Sequence, residues 1–293
     1  MKYNISPYDP NFTFQSPSDQ SHLEDYLNGR FGRWCYTLKA REAIKIALGY
    51  YNLAKDDVVT ILTTSGNFYI SSCVTNAIES VCRWSREILP ETKVLFVNHE
   101  FGYPYKDVEE LKGYGLPIIE DCAYAFFSES KEYVVGKIGD FAIYSLPKAF
   151  PVEWGGILVS NNTNYELSQP LGENECSEWV INLASAIGKV EMIKEQRLLN
   201  YRFMCEQLKP LGIEPFFDLV DGIIPGVFLF KWLADIDYAD LKIYMQDNGV
   251  ECSVFYGRNA FFIPMHHLLT EGDLLFFCRL LKKYIIENEI FKH

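Results

Sequence analysis

Residues 116–159 decide the fold and read LPIIEDCAYAFFSESKEYVVGKIGDFAIYSLPKAFPVEWGGILV. Short apolar runs bounded by turn residues predict buried strands. An acidic pair that ends in Asp121 closes the first run, and a Ser-Leu-Pro-Lys turn that ends at Lys148 follows the second. We therefore expect a carboxylate and a lysine at two strand ends that face one pocket. The three predicted strands are Pro117–Ile119, Phe141–Tyr144 and Ile157–Val159.

The chain before this stretch alternates apolar strands with helical periodicity. Strands are predicted over 58–62 and 93–98, and helices over 40–53, 70–87 and 105–114. Apolar strands without alternation are typical of a parallel sheet that is covered on both faces, so the fold class is α/β with three layers and a mostly parallel sheet. Ligands of such sheets collect beyond the carboxyl ends of the strands. Four polar residues fall there: Ser65, His99, Asp121 and Ser145.

The rest of the chain predicts a second, smaller domain. Residues 1–20 are an irregular lead-in, a first helix begins near His22, and residues 178–208 are helical almost throughout, as a linker helix. We expect a large domain over 1–200 and a small α+β domain over 201–293. The small domain has predicted strands at 226–232 and 250–255 and predicted helices at 238–248 and 270–288.

Composition narrows the class of protein. The 293 residues are 48% hydrophobic, which is typical of a globular protein with a buried core. A net charge of −12 without a basic cluster argues against nucleic acid. Without an N-terminal signal pattern or a long apolar run, we expect a cytoplasmic protein with no membrane partner. Eight scattered cysteines and the pair His266-His267 do not match zinc spacing, so no metal is expected.

The predicted helix that begins at Ala40 carries cations at its start. Lys39 precedes it and Arg41 lies in its first turn. Free backbone N–H groups and two cations form an anion site. An ordinary helix start with solvated charges explains the same residues, and both interpretations stay open at this point.

The sequence carries four motifs in a defined order: NHEFG at 98–102, IIEDCAYA at 118–125, GDFAIYS at 139–145, and Lys148 before the glycine pair at 155–156. Together they resemble the DegT/DnrJ/EryC1/StrS family of fold-type-I pyridoxal-phosphate enzymes, the sugar aminotransferases. Residues 118–125, IIEDCAYA, resemble the family's V-I-E-D-A-A-Q-A, and residues 139–145, GDFAIYS, resemble its G-D-F-G-I-F-S. Residues 98–102, NHEFG, are similar to the family's V-H-x-Y-G. Lys148 stands seven residues before the pair at 155–156, as the family's cofactor-binding lysine stands before its glycine pair.

The resemblance implies pyridoxal 5'-phosphate as the cofactor. Lys148 would bind the cofactor aldehyde through its amine and then move the proton between substrate and cofactor. Asp121 would pair with the pyridine nitrogen and keep it protonated. The alternatives are a strand-end carboxylate that caps the next segment and a solvated loop lysine.

The resemblance also assigns the remaining cofactor contacts. Arg41 and Ser145 would hold the phosphate. Either Phe68 or Tyr69 would stack on the pyridine ring, and core packing is the alternative for both. Tyr124 replaces a glutamine of the family and would hydrogen-bond the ring hydroxyl or only fill space. The strand-end residues Ser65 and His99 complete the predicted cofactor site.

These assignments imply an aminotransferase that acts on a keto-sugar, expected to be joined to a nucleotide, with glutamate as the amino donor. Fold-type-I enzymes generally build each site from two subunits, so a homodimer is expected. Two alternatives remain. One is a relative that binds cofactor or sugar without transamination. The other is a sugar dehydratase or lyase, although in that branch a histidine replaces the lysine, so Lys148 argues against it.

Overall fold

The predicted sheet is present in the computed structural model of the chain, which describes residues 2–9, 20–130 and 134–288. Its seven strands are β1 (Trp34–Thr37), β2 (Val58–Thr63), β3 (Arg83–Ser85), β4 (Thr92–Asn98), β5 (Ile118–Asp121), β6 (Phe141–Ser145) and β7 (Gly156–Ser160). They lie in the order β1-β7-β6-β5-β4-β2-β3. All pairs from β3 to β6 are parallel, whereas β7 runs antiparallel to both β6 and β1. The mostly parallel sheet predicted from the apolar runs is confirmed.

Helices cover both faces of this sheet. They are α1 (Gln20–Phe31), α2 (Ala40–Gly49), α3 (Ser72–Glu79), the one-turn helix α4 (Leu146–Ala149) and α5 (Glu173–Ile187). Successive strand residues point to opposite faces. Phe141 and Ile143 of β6 therefore pack with α2 and α3, while Ala142 and Tyr144 pack with α1 and α5. Burial of each large apolar side chain stabilises the layers by about 1.5–3 kcal/mol.

The small domain has its own sheet and core. Its strands are β8 (Ile213–Pro215), β9 (Phe228–Trp232), β10 (Ser253–Phe255) and β11 (Ala260–Ile263), all antiparallel in the order β10-β11-β9-β8. Its helices are α7 (Tyr238–Asp247) and α8 (Glu271–Glu287), and α6 (Val190–Leu208) joins it to the large domain. Tyr201 and Met204 of α6 belong to the small-domain core, whereas Val190 and Ile193 pack with the large domain. The division at residue 200 remains a prediction, because α6 lies in both cores.

Two predicted helices differ from the structure. The helix predicted over 70–87 is wrong beyond Glu79, because Arg83–Ser85 forms the edge strand β3 against β2. The continuous helix predicted over 178–208 is instead α5 and α6, which are separated at Gly188 and Lys189. Glycine is a poor helix former, and Lys189 has φ −115°, outside the helical range.

Shorter elements also differ from the sequence-based expectation. The helix predicted over 105–114 is a 3₁₀ helix over Glu109–Tyr114, and a second 3₁₀ helix spans Glu100–Gly102. Strands β1, β8 and β11 were not predicted. Of the irregular lead-in, Tyr3 forms a parallel bridge with Val250, and residues 10–19 lie outside the described residues. None of the helices in the described ranges is long and apolar enough to cross a membrane.

Candidate active site

A cavity of about 920 Å³ lies beyond the carboxyl ends of the parallel strands. The large domain lines it with strand-end residues such as Asn98, Asp121 and Ser145, and the small domain closes it with residues such as Ser253 and Phe255 of β10. Its volume is within the range of small-molecule sites, which occur preferentially between domains and at strand ends. The fold therefore provides a ligand-sized cleft where the sequence predicts one.

Helix α4 carries Lys148 into this cavity. The helix begins directly after β6, whose last residue, Ser145, pairs with Gly156 of β7. The Lys148 Nζ donates a hydrogen bond to the Tyr124 hydroxyl at 2.5 Å and lies 4.0 Å from the centre of the Tyr124 ring. The lysine amine is thus held over an aromatic ring at the cavity wall.

The glycine pair lets α2 approach this lysine turn. Gly155 has φ +116°, a conformation that L side chains rarely adopt. A Cβ atom at Gly156 would lie 2.5 Å from Thr37 Oγ1 and 2.8 Å from the backbone nitrogen of Ala40. The backbone N–H of Gly155 donates to the carbonyl of Leu38 at 3.0 Å. The two glycines therefore place the start of α2 directly beside the segment that holds the lysine.

Asp121 lies at the end of β5 and points into the cavity. It is 5% exposed, and its two oxygens accept hydrogen bonds of 3.0 Å from Asn98 Nδ2 and from the backbone N–H of Ala123. Burial raises the pKa of Asp121, although the Ala123 N–H group and the nearby His99 and Lys148 oppose the rise. A carboxylate that accepts from two neutral donors keeps lone pairs free for a further donor. A cationic donor is favoured there, because a positive charge stabilises the ionised carboxylate.

Asn98 was missed as a site residue, although its motif was recognised. It is the register partner of Asp121 on the neighbouring strand β4, so its side chain reaches the carboxylate directly. Neighbouring parallel strands bring their last residues together at one edge of the sheet. The position of Asn98 at the end of a predicted strand was therefore the signal in the sequence that could have identified it.

Glu120 lies on the other side of β5, and both of its carboxylate oxygens accept hydrogen bonds from the protein. It accepts hydrogen bonds from the backbone N–H groups of Gly136, Ile138 and Gly139 at 2.7–2.8 Å. His99 Nε2 donates to it at 2.9 Å, since His99 Nδ1 accepts from the backbone N–H of Tyr105 and so carries no proton. Burial alone would raise the pKa of Glu120, but these hydrogen bonds outweigh it and lower the pKa.

One cluster of described residues has ligand atoms close enough for a metal ion: His99, Glu120 and Cys122. The nitrogens of His99 and the carboxylate of Glu120 already hold the hydrogen bonds given above. Burial raises the pKa of Cys122 well above its ordinary value, which favours the neutral thiol over the thiolate that binds metals. This cluster is therefore satisfied without an ion.

The start of α2 supplies positive charge at one end of the cavity. No side chain of the described ranges caps this helix, so its first backbone N–H groups remain available to an anion. Arg41 lines both the main cavity and an adjoining depression of about 250 Å³, which Lys45 and Ser72 also line. Lys39 Nζ lies 4.3 Å from the centre of the Trp154 ring. The start of α2 is thus open to an anion, and both interpretations of it remain predictions.

The structure brings most of the predicted site residues together. Seven of them line the cavity: Arg41, Tyr69, His99, Asp121, Tyr124, Ser145 and Lys148. Ser65 does not line it. Its hydroxyl accepts a hydrogen bond from the backbone N–H of Asn67, and its own N–H donates to Glu100. Phe68 and Tyr69 are both largely exposed, at 65% and 60%, but Tyr69 lines the cavity beside Tyr256 of the small domain and Phe68 does not. Of the two aromatic candidates, only Tyr69 contacts the cleft.

Comparison with solved structures defines the class of fold. An aminotransferase, TlmJ, from Streptoalloteichus hindustanus superimposes with a TM-score of 0.75 over 92% of both chains at 15% sequence identity. The large seven-stranded sheet with a small domain closing over its carboxyl edge is the fold-type-I arrangement of the pyridoxal-phosphate transferases. The predicted fold class is confirmed.

Sequence comparison then points to the family. The model of the DegT/DnrJ/EryC1/StrS aminotransferase family matches residues 78–168, which include Asp121 and Lys148. GDP-perosamine synthase of Escherichia coli O157:H7 is 35% identical over 89 residues, or 28% of this chain and 24% of that protein. The L-glutamine:2-deoxy-scyllo-inosose aminotransferase of Streptoalloteichus tenebrarius is 28% identical over 123 residues, or 39% of this chain and 28% of that protein. The family resemblance predicted from the motifs is confirmed for this segment, although the matches span only about a quarter of the curated relatives' length.

Proposed function

We propose that the protein is a pyridoxal-phosphate-dependent aminotransferase that transfers an amino group to a keto-sugar, with glutamate as the amino donor. The observation that carries the proposal is the convergence of Asp121 and Lys148 on one cavity of small-molecule size. The two residues come from different strand ends, and both match the motif positions of the family. We further propose that the sugar is joined to a nucleotide and that the enzyme is a homodimer.

The residues present fit the pyridine end of the cofactor. Asp121 is buried among neutral donors, and a protonated pyridine nitrogen would give this carboxylate the cationic partner that it lacks. Asn98 and the Ala123 N–H group hold the carboxylate in place for that contact. Tyr69 and Tyr124 supply aromatic surface at the cavity wall.

The residues present also fit the phosphate end. The uncapped start of α2 offers backbone N–H donors, and Arg41 adds a guanidinium that can bind phosphate through two parallel hydrogen bonds. Ser145 lines the same cavity and adds a hydroxyl.

When bound, pyridoxal phosphate supplies an aldehyde and an electron-withdrawing ring, and this chain supplies the groups that direct the chemistry. The Lys148 amine is the base that carries the proton at the substrate carbon. In the cofactor-free chain the Tyr124 hydroxyl accepts a hydrogen bond from that amine at 2.5 Å and holds it at the cavity wall. Asp121 would keep the ring nitrogen protonated. The small domain contributes part of the cavity wall.

A spectroscopic titration tests the proposal. Pyridoxal phosphate added to the purified protein is expected to give the visible absorption band of a lysine-bound cofactor, and Lys148→Ala is expected to remove that band. Lys112→Ala is the matched control, because Lys112 is an exposed lysine whose ion pair with Glu109 lies on the protein surface. A band that persists in Lys148→Ala, or that never forms in the wild type, would contradict the proposal.

Addition of an amino donor separates an aminotransferase from a non-catalytic relative. Glutamate is expected to convert the bound cofactor to its amine form in a single turnover. Glutamine is a second donor to test, since one relative is an L-glutamine:2-deoxy-scyllo-inosose aminotransferase. Nucleotide-linked keto-sugars are then expected to restore the visible band. Failure of both donors in a protein that binds the cofactor would favour the relative that binds without transamination.

A further inference from the structure

Helix α4 cannot satisfy its own carbonyl groups. The last carbonyls of a helix have no partner within it, and a helix of four residues consists almost entirely of such groups. The carbonyl of Leu146 accepts from the N–H of Phe150 at 2.8 Å. The carbonyls of Pro147, Lys148 and Ala149 need donors from elsewhere in the chain. Those donors fix the position of the main chain from which the Lys148 side chain extends.

Two distant residues supply these donors. Ser6, in the N-terminal lead-in, donates its hydroxyl to the carbonyl of Pro147 at 2.8 Å. Arg197, in α6, donates one guanidinium nitrogen to the carbonyl of Lys148 at 2.9 Å and to that of Ala149 at 3.3 Å. Arg197 is thus the residue that holds the main chain of the proposed catalytic lysine.

Arg197 is an unusual cation for a protein interior. It is 1% exposed, and among the described residues no carboxylate forms an ion pair with it. Its Nε has no hydrogen-bond partner among the residues that the structure describes, and its guanidinium carbon lies 5.4 Å from the centre of the Phe127 ring. Burial lowers the pKa of Arg197 to about 10. A buried cation without a counterion is costly. The hydrogen bonds that Arg197 makes in compensation go to the main chain of the segment that carries Lys148.

The same guanidinium reaches the residue that packs against Tyr124. Its other terminal nitrogen donates to the carbonyl of Gly226 at 3.4 Å. A Cβ atom at Gly226 would lie 2.4 Å from a ring carbon of Tyr124, and the N–H of Gly226 donates to the carbonyl of Phe101 at 2.8 Å. Arg197 therefore links the main chain of Lys148 with the backbone that sets the ring of Tyr124, which in turn binds the Lys148 amine.

From this geometry we infer that Arg197 is a positioning residue. Its hydrogen bonds to the carbonyls of α4 and of Gly226 fix the Lys148 amine against Tyr124. The inference rests on the proposed function for its catalytic meaning. Its structural part concerns Lys148 in the protein without cofactor, so the two can be tested separately.

Nuclear magnetic resonance of the cofactor-free protein provides the first test. Lysine is labelled with ¹³C at Cε, and the Lys148 signal is assigned with Lys148→Arg. Because the amine lies over the Tyr124 ring, ring current is expected to move this signal away from those of exposed lysines. Arg197→Met is expected to return the signal to the exposed position. Arg30→Met is the matched control, since Arg30 also donates to a backbone carbonyl, but to that of Phe126, at 2.6 Å, rather than to one of α4.

The rate of cofactor capture provides the second test. Arg197→Met is expected to slow the appearance of the visible band about tenfold to hundredfold, because a lysine displaced by about 1 Å loses its alignment. Arg197→Lys keeps the charge but not the planar fork, and an intermediate rate is expected. It also serves as the test variant if Arg197→Met does not fold.

The outcomes separate the two proposals. A Lys148 signal that moves in the Arg197 variants but not in Arg30→Met supports the positioning role, even if no cofactor band forms in the wild type and the proposed function fails. A folded Arg197→Met, or a folded Arg197→Lys where Met does not fold, that keeps the wild-type signal and the wild-type capture rate would overturn it.

Discussion

The two sides of strand β5 place adjacent carboxylates in opposite roles. Glu120 faces the protein interior and accepts four hydrogen bonds, three from backbone N–H groups and one from His99. Asp121 faces the cavity and accepts two, from Asn98 and from Ala123. The pKa of Glu120 is lowered and that of Asp121 is raised, although both are buried.

The difference shows what separates a structural carboxylate from a functional one. A charged group with a full set of donors contributes to stability, and its environment leaves no lone pair for a ligand. A buried charged group with an incomplete set lowers stability and is available to a partner that the fold does not contain. Substitutions on the two sides should therefore have opposite effects on stability and on activity.

Glu120→Gln is expected to have the largest effect on stability. The amide nitrogen of glutamine would face backbone N–H groups that now donate to the carboxylate, so the free energy of unfolding should fall by about 3–5 kcal/mol at neutral pH. Chemical denaturation measures this loss. A lowered folded pKa means that the stabilisation by Glu120 is present above its ordinary value of 4.5 and is lost as the pH falls through the folded pKa. The difference between variant and wild type should therefore shrink in acid, and a constant difference would contradict the assignment.

Asp121→Asn is expected to have the larger effect on activity. An amide cannot keep the pyridine nitrogen protonated, so the rate of the glutamate half-reaction should fall by about 10²–10³-fold. Single-turnover measurement of the cofactor spectrum gives the rate. A rate within a few-fold of the wild type would remove Asp121 from the proposed site.

The same variant should be at least as stable as the wild type at neutral pH. The folded pKa of Asp121 is raised, so its carboxyl favours folding below its ordinary value of 3.8 and this contribution is lost as the pH rises through the folded pKa. An amide side chain does not titrate, so the variant does not undergo that loss. The stability of Asp121→Asn relative to the wild type should thus increase with pH, whereas that of Glu120→Gln should decrease. If the stability of both variants relative to the wild type changed with pH in the same direction, the opposite roles of Glu120 and Asp121 would be contradicted.

Asn98→Ala is expected to have the smallest effect. It removes one neutral donor from Asp121, a contribution of about 1 kcal/mol, so the half-reaction should slow by roughly fivefold and the fold should persist. Asn98→Asp is a second variant with a larger expected effect, because a second carboxylate beside Asp121 would raise the pKa of the pair further. Equal rates for the wild type and both variants would show that Asn98 does not orient Asp121.

Much of the large domain followed from local sequence patterns. The runs at 58–62, 93–98 and 141–144 predicted buried strands, and their order predicted the sheet edge at which Asp121 and Lys148 meet. Strand β3 did not follow, because the residues around Trp84 fit helical periodicity and become a strand only by pairing with β2. Backbone pairing with a distant segment is not encoded in the periodicity of the segment itself.

The sequence by itself determined the layered α/β class, the family motifs and the identity of the two proposed reactive residues, because strand runs and strand-end residues are local features. Only the tertiary structure decided that Glu120 is satisfied while Asp121 is not, that Tyr69 rather than Phe68 lines the cleft, and that Arg197 holds the main chain of Lys148. These depend on which distant backbone groups and side chains meet, and hydrogen bonding and burial at such contacts are set by the folded chain as a whole.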